Sequence, residues 1–186
     1  MLVHNADMKR IAAALASTFA LLTGLAVQPA QAMGSGNPYV DQQVGVTYTV
    51  YQPTFTAGLK TPTTVANQPD CPTGTEQSLT VPYGSRTALQ FTVTEGNPMC
   101  SDISTGPTVL TTTIMGARAT VKAYCDPATV RTCTKADVRK YGGQLSVTLP
   151  AAKGLRPTLV WIETTGRQKL SANQLVRVAR SMKPVG

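Results

Sequence analysis

The sequence predicts an α+β domain: a twisted antiparallel sheet with a C-terminal helix packed on one face, held by two disulfides. Three observations carry this. Short stretches of alternating apolar and polar residues recur from Val44 to Leu149, the period of half-buried strands. One clear amphipathic helix follows them, and strands followed by a helix favour a sheet with a helix on one face. Four cysteines, an even number, suit cross-linking in an oxidising compartment. An all-β sandwich with the helix as an appendage is the competing architecture.

Residues 1–32 read as a signal peptide. Lys9 and Arg10 form a positive start, Ile11 to Val27 is mostly apolar, and Ala30-Gln31-Ala32 is a small-x-small cleavage site. Met8 begins a more typical signal sequence than Met1. Cleavage near Ala32 would release a secreted or periplasmic protein without its only histidine, His4. No later apolar run approaches the ~20 residues needed to span a bilayer.

Residues 33–43 read as a flexible entry, and 44–186 as a single domain. Val44–Tyr51 alternates as a strand, with Val46, Tyr48 and Val50 on one side. Lys60–Gln77 is rich in Thr and Pro and reads as a long loop tied down by Cys71. Gln77–Tyr83 and Ala88–Glu95 form a hairpin around Gly84-Ser85, with Leu89, Phe91 and Val93 inward. Val109–Met115 and Ala117–Tyr124 follow, separated by Gly116 at a bend or bulge. Ala117, Ala119, Val121 and Ala123 form a small-residue face that a helix can approach closely. Thr134 to Asp137 resembles a capping box opening a short helix, which Gly142-Gly143 ends, and Gln144–Leu149 is another alternating strand.

Thr158–Thr164 packs Leu159, Val160, Trp161 and Ile162 into one run, a buried strand with Trp161 in the core. Ser171 and Gln174 then form a capping box. Leu175, Val176, Val178, Ala179 and Met182 share one helical arc, while Asn173, Arg177 and Arg180 face away. Pro184 is expected to stop the helix. On this reading Leu175→Asp costs several kcal/mol, and Arg177→Ala changes stability by less than about 0.5 kcal/mol.

The cysteines are expected to pair Cys125 with Cys133, across the turn-rich DPATVRT, and Cys71 with Cys100. A zinc site is disfavoured by the loss of histidine and the lack of closely spaced cysteine pairs.

Charge is uneven. The chain is net +8, yet from Met33 to Ala117 only Lys60 and Arg86 oppose five acidic residues. From Arg118 onward thirteen basic residues face Asp126, Asp137 and Glu163. A basic C-terminal portion of this kind suits an anionic partner. The candidate binding residues are Arg118, Lys122, Arg131, Lys135, Arg139, Lys140, Arg177 and Arg180. Few aromatics interleave them, so no nucleic acid is expected.

Histidine-dependent triads and thiol nucleophiles lack their residues once the signal peptide is gone and the cysteines are oxidised. No phosphate-binding glycine motif occurs, and no cofactor, metal or catalytic residue is expected. The function expected is a non-catalytic binding module of the bacterial cell envelope or medium. The alternatives are a carrier of a small apolar or lipid ligand under the C-terminal helix and, residually, a carboxylate-based hydrolase.

Two segments together carry a family resemblance. Tyr51, Pro53, Thr54, Phe55 and Gly58 lie near the start; Trp161, Gly166, Leu170, Ser171, Leu175, Ala179, Ser181 and Met182 lie at the end. This pattern resembles an uncharacterised domain family of exported bacterial regulators, anti-sigma-factor proteins and sporulation lipoproteins. The resemblance implies sensing or protein interaction at the cell envelope and brings no catalytic residues. The proline that often precedes the family's glycine is replaced here by Thr56-Ala57, and the cysteine pairs are not part of the pattern.

Overall fold

Asn37 opens the first described element, helix α1 (Pro38–Val44), by accepting the Tyr39 N–H on its side chain, with Pro38 preset in the first turn. The structure, a computed structural model, describes residues 34–63, 65, 78–97, 106–126 and 128–186. The expected signal peptide and the Cys71–Cys100 pair lie outside these residues.

Strands β1 (Tyr51–Pro53), β2 (Leu79–Gly84), β3 (Gln90–Gly96), β4 (Thr108–Ile114) and β5 (Ala117–Ala123) follow. After them come α2 (Asp137–Tyr141), β6 (Gly143–Leu149), β7 (Thr158–Thr164), α3 (Ala172–Arg180) and β8 (Met182–Pro184). Six strands form one antiparallel sheet in the order β2-β3-β7-β6-β5-β4, and β1 pairs with β8 in a separate two-stranded ribbon. The α+β class is therefore correct. Among the described residues one disulfide is present, Cys125–Cys133, with Cα atoms 6.3 Å apart.

The register explains the core. Val81, Val93, Ile162, Leu145 and Val121 stand in one row across five strands, and all are buried. Helix α3 packs on β6 and β7 from this side, placing Leu175, Val178 and Ala179 beyond reach of water. Each of the larger side chains contributes on the order of 1.5–3 kcal/mol by leaving solvent. The capping box forms as the sequence requires: Ser171 N–H donates to Gln174 Oε1 (2.9 Å) and Gln174 N–H to Ser171 Oγ (3.3 Å).

The opening and closing segments depart from expectation. The stretch read as a flexible entry, residues 33–43, holds all of α1 except its last residue, Val44. Val44–Tyr51 is not a strand of the main sheet: Tyr48, Thr49, Val50 and Tyr51 are all buried, and the backbone joins the β8 segment at Val50 and Tyr51 and bridges Arg156 at Tyr48. There Thr49 N–H donates to Arg156 O and Arg156 N–H to Thr47 O. At the other end α3 stops at Arg180. Met182, expected on the helix's apolar arc, is buried instead as the first residue of β8, paired opposite Pro53. Gly116 is no bulge. Met115 (φ 48°) and Gly116 (φ 80°) form a tight two-residue connection between Ile114 and Ala117. Paired left-handed residues match the twist of a hairpin.

Trp161 is buried, as its apolar neighbours imply. It is 7% exposed, but its register partners are Thr94 and Ser146, on the face of the sheet away from α3. That face carries a row of Thr80, Thr94, Trp161, Ser146, Thr120 and Thr111. No helix among the described residues is long and apolar enough to cross a membrane.

Candidate functional site

Asn173, Arg177 and Arg180 recur at spacings of four and three, so they form one stripe along α3. Beside this stripe runs β4, whose alternate residues Leu110 and Thr112 share the helix side of the sheet with buried Ile114. Between the two elements lies a groove of about 410 Å³, lined by Leu110, Thr112, Asn173, Val176, Arg177 and Arg180. Leu110 and Val176 give it an apolar floor. Among the described residues no carboxylate lines it.

Both guanidinium groups are held. Arg180 Nη2 donates to Thr112 Oγ1 at 3.1 Å, which ties the end of the helix to the edge of the sheet. Arg177 lies over the ring of Phe55. Arg180 also sits in the last turn of α3, where cations complement the helix dipole. Planar, permanently charged forks fixed in this way suit carboxylate, phosphate or sulfate oxygens, and less side-chain freedom remains to be lost on binding.

The structure does not gather the eight expected basic residues into one patch. Arg118 and Lys122 alternate with buried Ala119, Val121 and Ala123, so they project from the opposite face of the sheet. Arg131 is exposed on the loop closed by Cys125–Cys133. Lys135, Arg139 and Lys140 are exposed on and before α2, with the Lys140 ammonium 4.7 Å from the Tyr141 ring centroid. A side-chain hydrogen bond to Tyr141, followed by charge attraction to it, raises the Lys140 pKa. Of these eight, Arg177 and Arg180 are brought together at a concave surface among the described residues.

A second cluster was not expected from the sequence. Glu95 is fully buried on the inner face of β3. Its Oε2 accepts the Tyr51 N–H at 2.8 Å, whereas Oε1 has no hydrogen-bond partner among the described residues. Burial pushes this carboxyl well above the usual carboxylate range, and the Tyr51 bond opposes the shift. Tyr39 and Tyr83, whose hydroxyls are 2.8 Å apart, are raised too, first by their own burial. The signal was available: the inward series Phe91, Val93 continues at its own period to Glu95.

Among the described residues no group of three or more His, Cys, Asp or Glu side chains is placed to hold a metal ion. Asp137 accepts from the Thr134 N–H (2.7 Å) and hydroxyl (2.9 Å), bonds that lower its pKa and brace the turn before α2, whose N-cap is Ala136 with no side-chain bond rather than the expected Thr134. Compared with protein-family models, curated proteins and solved structures, the chain matches none.

Proposed function

We propose that this protein is an exported, non-catalytic binding module of the bacterial cell envelope or medium. It meets an anionic partner through its basic C-terminal portion. The observation that carries this reading is the groove between α3 and β4. Arg177 and Arg180 are both fixed at its wall, and no acidic side chain among the described residues lines it to compete. Such an arrangement favours a negative partner by geometry as well as by net charge. The sensing or protein-interaction role implied by the family resemblance is compatible with it.

The test uses the soluble polyanion dextran sulfate as probe. Arg177→Glu/Arg180→Glu should weaken binding by about tenfold or more, and added salt should weaken it further. Arg118→Glu/Lys122→Glu, on the opposite face, should cost less than about threefold. Equal losses in the two pairs would mean that diffuse charge, not the groove, does the binding.

A further inference from the structure

We propose that β4 is a docking edge, which takes an extended acidic segment of a partner protein as a seventh strand with its carboxylates on Arg180 and Arg177. This rests on the anionic-partner reading and names the partner's class.

The two edges of the sheet are unlike. The β2 edge carries Pro82, which has no N–H to offer, and contacts α1. The β4 edge, Thr108–Ile114, contains no proline and no charge, and no described residue pairs with its far side. A strand of this composition with unpaired backbone groups is a template for another strand.

The hairpin register states which groups are on offer. Ile114 and Ala117 close the two-residue turn, so Ile114, Thr112 and Leu110 direct their N–H and C=O toward β5. Thr111 and Thr113, between them, direct theirs to the open side, and both residues are exposed. An added strand would hydrogen-bond there.

The same register fixes where its side chains fall. The residue opposite Thr112 would lie on the α3 side, with its Cβ about 5 Å from that of Thr112. Arg180 already reaches Thr112 Oγ1, so a carboxylate at that position meets a guanidinium in place. The next position on the same face meets the Leu110–Val176 floor and Arg177. A second copy of this chain fits less well. Pairing β4 with itself would bring the Arg177 and Arg180 of both copies together, with no lining carboxylate among the described residues to offset them.

The probes are short fluorescein-labelled peptides: alternating Glu-Val, alternating Lys-Val, and Glu-Val carrying N-methyl groups on alternate residues. Fluorescence anisotropy should show Glu-Val binding about tenfold or more tighter than either control. Its addition should slow amide exchange at Thr111 and Thr113. Thr113→Pro should lose the peptide but keep dextran sulfate, whereas Arg180→Glu should lose both. Equal binding of the N-methylated peptide would overturn strand addition, and it does so without relying on any variant's folding. Retained dextran sulfate binding would leave the broader reading standing in that case; no binding of either probe would remove both. A concentration-dependent dimer that Thr113→Pro abolishes would make a second copy the occupant and overturn the acidic-partner assignment.

Discussion

The guanidinium of Arg177 lies 4.0 Å from the centroid of the Phe55 ring. This joins the outward face of α3 to the segment following β1, far away in sequence. Arg177 is therefore not the neutral surface residue that its position on the helix suggests. Arg177→Ala and Phe55→Ala, made singly and together, should show a coupling of about 0.5–1 kcal/mol in urea unfolding. Strict additivity would mean that the stacking contributes nothing.

Leu175 is wholly buried against the sheet. Leu175→Asp should cost several kcal/mol, a large share of the roughly 5–15 kcal/mol that holds a domain together. Asn173→Asp, on the exposed stripe, should stay within about 0.5 kcal/mol. Thermal melts that fall equally for the two variants would contradict the packing described.

Glu95 makes stability depend on pH in an unusual direction. An acid with a raised folded-state pKa keeps its proton in the folded state after the unfolded chain has released it. Stability is then full below the ordinary value of 4.5 and falls as pH rises from there to the folded value. The slope is at most about 1.4 kcal/mol per pH unit. The raised tyrosines Tyr39, Tyr51 and Tyr83 titrate above this window, and lowered Asp137 below it, where its stabilisation is lost with falling pH. Urea midpoints should decline above pH 5 in the wild type and hold steady in Glu95→Gln. Parallel curves would assign the dependence elsewhere.

The Cys125–Cys133 bridge closes a loop of eight residues' separation. Replacing both cysteines by serine should cost about 2–3 kcal/mol on chain-entropy grounds. Peptide mapping without reduction should recover this link together with the expected Cys71–Cys100 link. A Cys100–Cys125 fragment would refute both pairings.

What could be read in advance follows from how local each signal is. β7 and α3 were legible because a dense apolar run and a Ser171–Gln174 capping box each act within a few residues. Helix α1 carries a real start signal in Asn37-Pro38, but it buries little beyond Pro38 and Tyr39, so no apolar stripe announces it. Tyr48 and Val50 are buried without belonging to the main sheet, because alternation reports which side chains are covered and not which backbone bonds to which. Trp161 shows the same limit: its neighbours marked it as buried, yet only the register puts it on the sheet's other face. The groove needed the β5–β4 hairpin and α3 to meet at one edge, and no stretch of sequence contains that juxtaposition.

Tyr51 pairs with Pro184, and Pro53 with Met182. These partners come from opposite ends of the described chain, so closing the ribbon between them costs more loop entropy than any local hairpin. The order of assembly follows from this. The β4–β5 turn can form early, whereas the ribbon should lock late and set a slow refolding phase. Phe55, on which Arg177 rests, and the Tyr51 N–H that reaches Glu95 both arrive with that ribbon. Binding competence should therefore lag behind recovery of secondary structure in time: an intermediate with its sheet complete would still have Arg177 without its aromatic seat.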